Sequence, residues 1–492
     1  MVRPRYWNCA SRLSRSLDLI LETYDSLSIL INKSIYDEMF YISQSQTRES
    51  RFMAKDHYLT AQEATEELGV SAATLYAYVS RGLIRSEPVD GKKRVRRYHG
   101  EDVQRLRERK ELRRNPAKLA EQALHWGVPV LDSSITLIAD GRLYYRGHDV
   151  LTLAATRTVE EVAALIWLGD LDADARALFA AAGRQIPPRC LAVRRHLSDL
   201  PPTELFQAVL PVAAAEDVAA CDLRPAAVAQ TGARILRLLT LVAAGRDGSA
   251  TDIARTLQEG WAPGDPSAAQ LLRTALILCA DHELHVSAFT ARCVASAGST
   301  PYAVVMAGLS ALQGVKHGVY IEQVEPFLRE VGTPNRAHVA IANRLKRGEQ
   351  LPGFGHRLYP EGDPRGRALL ELTVKMYPGS PATALAHAVI VQAHHVIGEQ
   401  PTIDFALAVL TSALHLPPSV APALFALGRT IGWIGHAIEQ YQMDQLIRPR
   451  ARYVGPAPLL SESAYRHSEA PTTQSWWDVY QSLFEGVVSH TD

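Results

Sequence analysis

Long alanine- and leucine-rich segments follow one another from about residue 116 onward, and this succession most limits what the chain can fold into. Stretches such as VEEVAALIWLGD and PPTELFQAVLPVAAAED place apolar residues at the 3.6-residue period of a helix that buries one face. Within this part of the chain, strand-like alternation is confined to residues 134–145, in the stretch ITLIADGRLYYRG around an Asp-Gly turn. The pattern predicts a mainly α-helical domain with one short hairpin.

Composition favours a folded intracellular protein of more than one unit. The 492 residues are 47% hydrophobic and 21% charged, and a single core seldom uses that much chain. Basic and acidic residues both number 52, so net charge gives no argument for nucleic acid or membrane. The five cysteines are scattered without a CxxC spacing, which argues against a disulfide framework or a zinc site and favours the cytoplasm.

The longest uncharged stretch, residues 293–315, is long enough to span a bilayer. Ser, Thr, Gly and Pro301 interrupt it and lower its hydropathy. We therefore expect a pair of buried helices there rather than a membrane span.

The first 52 residues differ in composition from the rest, with few alanines and many Ser, Ile, Tyr and Leu. Two interpretations stay open: a helical amino-terminal extension, or a start assigned too far upstream with Met53 as the true first residue, which we favour. Asp18, Glu22 and Asp25 break any apolar core, which argues against a signal peptide.

Residues 56–112 carry the signals of a small helix-turn-helix domain. Thr60 and Glu63 have the spacing of a capping box, and Gly69 stands where that helix would end. Ser71 opens a second helix that is predicted to end at Gly82. A tight turn between two short helices is typical of helix-turn-helix proteins.

A basic segment follows these two helices. The sequence predicts a hairpin around Asp90-Gly91 and another helix starting near Glu101. Residues 81–114 hold thirteen Lys or Arg against six Asp or Glu, a local net charge of +7 that is typical of phosphate-binding surfaces. The alternative is a helical hairpin for protein contacts, with its charges solvating the surface.

Residues 56–112 resemble the DNA-binding domain of MerR-like and excisionase-like regulators, a winged helix-turn-helix. The resemblance implies that the second helix enters the major groove and that the basic wing contacts the backbone. The residues it places near DNA are Ser71, Thr74, Tyr76, Tyr78, Arg81, Lys92, Lys93, Arg94, Arg96 and Arg97.

Three histidines and one aspartate stand at breaks between helical runs: His282 in CADHELHVSAF, His317 in LQGVKHGVY, His356 in LPGFGHRLYPEGDPRGR and Asp404 in PTIDFALAVL. Taken singly, each has a structural explanation, since a lone histidine is usually a satisfied side chain and Asp404 suits a helix N-terminus. Metal binding is a weak alternative, because HELH lacks the HExxH spacing of zinc peptidases.

Together and in this order, these motifs resemble citrate synthases, from about Leu131 to Gly455. The resemblance includes the hairpin ending in YRG, the GFGHRLY and DPRG block, IDF, and GRTIGWIGHAIEQ followed by IRPRARYVGP. It implies a citrate synthase domain at 116–470, a large helical domain with a small helical domain inserted at about 330–430. A carboxy-terminal tail would occupy 471–492.

The resemblance also implies roles for particular residues. Asp404 would be the base that takes a proton from the acyl-CoA, His317 the donor to the thioester carbonyl, and His356 the residue that polarises the ketone of the 2-oxo acid. His282, Arg365 and Arg429 would bind carboxylates, and Arg448 would reach across from the partner subunit, which implies a homodimer. The KRGEQLPGFGHR stretch would lie near the CoA nucleotide. No metal or cofactor is implied.

The chain departs from the family at three places. Bacterial citrate synthases usually have HELN where this chain has His285, and HGGAN where it has HGVYI, which introduces Val319, Tyr320 and Ile321. LSDLPPTEL replaces the family's HPM motif. These changes bear on the identity of the oxo acid and on the catalytic rate.

Three functions remain open from sequence. The first is condensation of acetyl-CoA with oxaloacetate to give citrate, and the second is the same chemistry with propionyl-CoA, as in methylcitrate synthases. One methylene is worth only about 1–3 kcal/mol in a pocket, so the sequence does not separate them. The third is a DNA-binding regulator whose synthase domain senses a CoA ester or a dicarboxylate.

Overall fold

A computed structural model describes residues 58–81, 83–89, 92–100, 102, 103, 106, 131–249, 251–451 and 453–456, with only the backbone at 89, 92–95, 319 and 320. Two compact units meet in sequence between Asp132 and Ser133. The extension predicted at 1–52, the tail predicted at 471–492 and the turn at Asp90-Gly91 lie outside the described residues.

The first unit is a small α/β domain. Its elements are β1 (Tyr58–Leu59), α1 (Ala61–Leu68), α2 (Ala72–Ser80), β2 (Ser86–Val89) and β3 (Lys92–His99). The strands form an antiparallel sheet in the order β1-β3-β2, and its β2–β3 pair is the predicted hairpin. The small core consists of Leu59, Ala64, Leu68, Leu75, Ile84, Tyr98 and Val103.

The helix ends of this unit follow the predicted capping chemistry. The Thr60 side chain accepts the Glu63 N–H while the Glu63 carboxylate accepts the Thr60 N–H at 2.7 Å, which confirms the capping box. Gly69 ends α1 with a φ of +56°, a conformation that glycine adopts without strain. The second helix ends at Ser80, two residues before the predicted end, where the Leu83 N–H bonds back to the Tyr78 carbonyl at 2.9 Å, a 6→1 bond typical of helix C-termini. Near Glu101, Gly100, Asp102, Val103 and Leu106 are helical.

The second unit begins with a small sheet. Strands β4 (Thr136–Ala139), β5 (Arg142–Tyr145) and β6 (His148–Asp149) pair antiparallel in that order. Asp140 and Gly141 both have positive φ, at +51° and +70°, as a two-residue hairpin turn of the I′ type requires. The predicted hairpin is therefore present.

The rest of the described second unit is almost entirely helical, with short 3-10 turns at Val218–Cys221 and Pro334–Arg336. The helices are α3 (Val150–Thr156), α4 (Val159–Leu168), α5 (Ala175–Ala180), α6 (Pro188–His196), α7 (Pro202–Glu216), α8 (Pro225–Ala243), α9 (Ile253–Trp261), α10 (Ala268–Leu278), α11 (Val286–Ser296), α12 (Pro301–Leu312), α13 (Val319–Val331), α14 (Ala337–Lys346), α15 (Pro364–Met376), α16 (Pro381–Ile397), α17 (Ile403–Ala413) and α18 (Val420–Met443).

Helix α18 forms the centre of the core. It is buried over most of its length and packs against α8, α10, α11 and α12. Small residues permit the close approach, since a methyl group on Gly308 would come within 2.5 Å of the Trp433 ring. The Trp167 indole N–H donates to the Ile431 carbonyl at 2.9 Å, so the ring's polar atom is satisfied inside the core.

The uncharged stretch at 293–315 is divided between α11 and α12, as the sequence predicts. Among the described residues, α8 is long and apolar enough to cross a membrane, and 78% of its apolar window is buried inside the protein. A mostly buried helix of this kind is typical of a protein core.

Candidate active site

The segment between α10 and α11 carries His282 and His285, and Ser287 lies in the first turn of α11. Asp281, in the same segment, is fully buried and accepts hydrogen bonds from Thr136 Oγ1 at 2.6 Å and from His436 Nε2 at 3.2 Å. These bonds tie the segment to β4 and to α18. The following side chains therefore project from a fixed backbone.

His282 lies at the bottom of the site. It is 4% exposed, and its Nε2 lies 3.0 Å from the Tyr359 hydroxyl. Burial lowers the pKa of His282 well below its usual value, and the charges of Arg365 and Arg429 lower it further. His282 is consequently a neutral hydrogen-bonding group at neutral pH.

His317 lies between α12 and α13. Its Nε2 is 2.9 Å from Ser287 Oγ, which is also 3.2 Å from the Trp433 indole N–H. The indole is only a donor, so the serine oxygen accepts from Trp433, which leaves the serine's single hydrogen available for Nε2. That arrangement favours the His317 tautomer with hydrogen on Nδ1.

Burial and the Arg429 charge lower the pKa of His317 to about 3. Burial is the main cause, and it keeps the ring in its neutral form at neutral pH. His317 therefore presents an N–H donor without carrying a charge.

The GFGH segment runs beside the residues that precede α17. The Thr402 N–H donates to the Gly353 carbonyl at 2.8 Å, and the Gly355 N–H donates to the Gln400 carbonyl at 3.0 Å. This short antiparallel pairing fixes His356 beside the helix that carries Asp404.

His356 accepts the Leu358 N–H on its Nδ1 at 3.2 Å. The neutral ring must then carry its hydrogen on Nε2. Its ring centroid is 5.3 Å from that of His282 and 4.9 Å from that of Tyr359. Burial and the charge of Arg365 lower the pKa of His356 to about 4. His356 is therefore a second uncharged N–H donor.

Asp404 occupies the first turn of α17, where the helix dipole favours a carboxylate. Its Oδ2 accepts the Thr402 hydroxyl at 3.0 Å. Burial raises the pKa of Asp404, although the Thr402 bond and the Arg365 charge oppose the change. A partly desolvated carboxylate with a raised pKa is suited to general base catalysis.

Arg365 and Asp363 form a buried pair beside Asp404. The guanidinium donates to the two Asp363 carboxylate oxygens at 3.0 and 2.8 Å, and the Ile403 N–H donates to the same carboxylate at 3.0 Å. Although burial opposes it, the Arg365 charge helps to hold the pKa of Asp363 below its usual value. The pair links α15 to the start of α17 and keeps a fixed positive charge in the site.

Arg429 is 1% exposed on α18 and donates from Nε to the Cys279 carbonyl at 2.9 Å. Its Nη1 is buried with no hydrogen-bond partner among the described residues. A buried guanidinium with an unused donor is suited to an anionic ligand, which would supply the missing bond.

The structure thus brings six of the seven predicted catalytic and substrate-binding residues into one region of the second unit. Arg448 is exposed in the segment after α18 and lies outside this cluster. The sequence assigned no roles to Tyr359, Asp363 or Ser287, which hold His282, Arg365 and His317. Tyr359 belongs to the GFGHRLY motif and Asp363 to the DPRG motif, so membership of these motifs could have marked both residues as candidates for the site. The described residues contain no group of three or more His, Cys, Asp or Glu able to hold a metal ion.

The residues predicted to contact DNA lie in the first unit. Ser71 caps α2 and its hydroxyl is 3.0 Å from that of Thr74, while Tyr76 is 55% exposed. Tyr78 packs against the small core. Arg81, Arg96 and Arg97 are all exposed. Arg96 donates to Ser86, and the Arg97 guanidinium lies 4.0 Å from the Tyr58 ring centre. The side chains of Lys92, Lys93 and Arg94 lie outside the described residues.

Each of the two units matches a known protein family. Residues 123–450 match the family model for the citrate synthase C-terminal domain, and residues 58–111 match that for a helix-turn-helix domain. Citrate synthase 2 of Bacillus subtilis is 30% identical over 67% of this chain and 95% of its own length. A Mycobacterium tuberculosis relative whose name places it among citrate synthases is 34% identical over 44% of this chain, and the alignment spans 60% of that relative.

Solved citrate synthase structures are also similar to this chain. Citrate synthase from Thermotoga maritima has 28% identity and a TM-score of 0.60, covering 70% of this chain and 98% of its own. The Thermoplasma acidophilum enzyme, solved with carboxymethyl coenzyme A and oxaloacetate, has 25% identity and a TM-score of 0.61, covering 69% of this chain and 97% of its own. The second unit has the citrate synthase fold, and the chain belongs to the citrate synthase family.

Proposed function

We propose that the second unit condenses an acyl-CoA, first of all acetyl-CoA, with oxaloacetate and hydrolyses the product thioester to citrate and CoA. The observation that carries this proposal is the convergence of one carboxylate of raised pKa, two neutral histidine donors and two buried arginines. A general base, donors for developing charge and sites for carboxylates are what such a condensation needs.

The acyl methyl group loses a proton to Asp404 while His317 donates from Nδ1 to the thioester oxygen. His356 donates from Nε2 to the ketone oxygen of oxaloacetate, and the enol carbon forms the new C–C bond with the ketone carbon. His282, Arg365 and Arg429 hold the carboxylates. Water then cleaves the thioester, which releases CoA as a thiol.

The acyl donor is tested by thiol release. Relatives include a 2-methylcitrate synthase 2 from Corynebacterium glutamicum, 28% identical over 64% of this chain, so propionyl-CoA is the alternative donor. Purified protein with oxaloacetate is expected to release thiol faster from acetyl-CoA than from propionyl-CoA. Faster release from propionyl-CoA would assign the methylcitrate reaction, and release from neither would contradict the proposal.

We also propose a homodimer in which Arg448 completes the partner's site. Arg448→Ala and Asp404→Asn should each be inactive alone. When the two variants are co-expressed, about half of the dimers should contain one chain of each. One of the two shared sites in such a mixed dimer is intact, so about a quarter of the native activity should return. A mixture that stays inactive would show that each site uses its own Arg448.

A second function, specific DNA binding by the first unit, is favoured by the exposed Tyr76 on α2 and by the basic excess of residues 81–114. The full chain should shift its own upstream DNA at moderate salt, with affinity that falls as salt rises. Tyr76→Ala should abolish the specific shift, whereas Glu66→Ala on the neighbouring helix should retain it. If the full chain gives no specific shift of this DNA, the proposal of DNA binding is wrong.

We propose a cytoplasmic location, since the described cysteines, Cys190, Cys221, Cys279 and Cys293, are free thiols, as is usual for proteins of a reducing compartment.

A further inference from the structure

His285 makes a close ring contact with His317. The two ring centroids are 3.9 Å apart and the planes meet at 36°. His285 is the residue before α11 and its carbonyl accepts the Phe289 N–H at 2.8 Å, which anchors its backbone to the first turn of that helix. The ring therefore lies against the face of His317 from a fixed backbone position.

Within the part of the chain that the structure describes, His317 is hydrogen-bonded through one ring nitrogen, Nε2, which Ser287 holds. A bond to one nitrogen fixes the position of that atom but leaves the ring plane free to tilt. The Phe425 ring meets His317 edge-on, at 88° and a centroid distance of 6.4 Å. The contact with His285, inclined at 36°, is the closer of these two ring contacts, and it limits further rotation of the His317 ring.

The nitrogen Nδ1 of His285 is buried and has no hydrogen-bond partner among the described residues. That nitrogen therefore does not anchor the ring, and the ring face makes the contact with His317. The rings of His285 and His282 are further apart, with centroids 6.3 Å from each other. His285 thus acts on the thioester side of the site more directly than on the His282 side.

We infer that His285 is a positioning residue for His317, whose ring plane it fixes so that the Nδ1 hydrogen points at the thioester oxygen. The inference rests on the proposed function. His285 stands where the resemblance leads us to expect asparagine, so this ring contact arises from a departure from the family motif. Protonation of either ring would place a positive charge beside the other, and burial keeps both rings neutral.

Three variants separate the ring face from the nitrogens. His285→Phe keeps a flat face and loses both nitrogens, whereas His285→Ala loses the face and His285→Leu fills the space without a flat surface. Because a small misplacement of a catalytic group is costly, His285→Ala and His285→Leu should lower kcat at least about tenfold, with the oxaloacetate KM within about twofold. His285→Phe should keep kcat within about threefold of the native protein. His395→Ala, at an exposed histidine of α16, is the matched control.

A second readout does not need turnover. In protein labelled with ¹³C at histidine Cε1, the His317 signal is identified by its loss in His317→Asn. That signal should report one tautomer in the native protein and in His285→Phe, and a shifted or broadened signal in His285→Ala. If the native protein releases no thiol, the proposed function fails, while this measurement still decides the positioning role.

Unchanged kcat and an unchanged His317 signal in both His285→Ala and His285→Leu would overturn the inference. An equal loss of kcat in His285→Phe would also overturn it, because the nitrogens would then be the acting groups.

Discussion

Gly366 lies against the carbonyl of Thr402, so closely that a methyl group on Gly366 would come within 2.6 Å of the carbonyl carbon. Thr402 precedes the helix of Asp404 and donates its hydroxyl to that carboxylate at 3.0 Å. The DPRG motif therefore sets the position of the base through backbone contact. The glycine permits α15 to approach the start of α17.

Gly366→Ala should lower both stability and activity. Alanine favours the helix intrinsically by about 1 kcal/mol, but the clash with backbone cannot be relieved by a rotamer change, and overpacking typically costs about 1–3 kcal/mol. Urea unfolding measures the first effect and thiol release the second.

The matched control is Gly379→Ala, because nothing lies within 4 Å of a methyl group there and its φ is not positive. This variant should keep the native unfolding midpoint and rate. Equal behaviour of the two glycine variants would contradict the backbone account.

Tyr359→Phe removes the hydroxyl that lies 3.0 Å from His282 Nε2. A buried nitrogen left without its partner costs about 1–3 kcal/mol. We expect lower stability and a higher KM for oxaloacetate, with a smaller effect on the acyl-CoA KM, because His282 is proposed to hold the oxo acid. Tyr144→Phe, in β5, is the control. An unchanged KM for oxaloacetate would show that the Tyr359 hydroxyl does not contribute to oxaloacetate binding.

The sequence predicted the mainly helical fold, the hairpin at Asp140-Gly141 and the capping box at Thr60 because each depends on a local pattern. The breaks between helical runs drew attention to His317 and His356, and the resemblance to citrate synthases assigned roles to them and to Asp404. The Gly353–Thr402 pairing joins segments far apart in the chain, which local periodicity does not encode.

The partners of the catalytic groups were harder to predict for the same reason. Ser287 and Trp433 together orient His317, although they are 146 residues apart. His285 stood out only as a departure from a motif, and its contact with the His317 ring required the fold. Arg448 illustrates another limit, since its proposed role depends on a second subunit.

The histidine cluster predicts that acid destabilises the fold. Burial holds the pKa of His317 at about 3 and that of His356 at about 4, while the unfolded chain has histidines near the usual value of about 6.5. Between about pH 6.5 and pH 4 the unfolded state binds more protons, so the free energy of unfolding falls as pH falls.

Urea midpoints at pH 7.5 and 5.0 measure this effect. The native protein should have the lower midpoint at pH 5.0. His356→Gln should show a smaller drop because one contributing group is gone, and His148→Gln, at an exposed histidine, should show the native drop. Identical native midpoints at the two pH values would contradict the account.

Thiol release by Asp404→Asn decides whether Asp404 is the base of an acyl-CoA condensation. General base catalysis contributes typically about 10²–10⁴-fold, and the amide keeps the size of the side chain. We expect a loss of kcat in that range, with oxaloacetate still bound, and native activity in Asp172→Asn, a control at an exposed site. An Asp404→Asn protein that releases thiol at the native rate would contradict the role of Asp404 as the base.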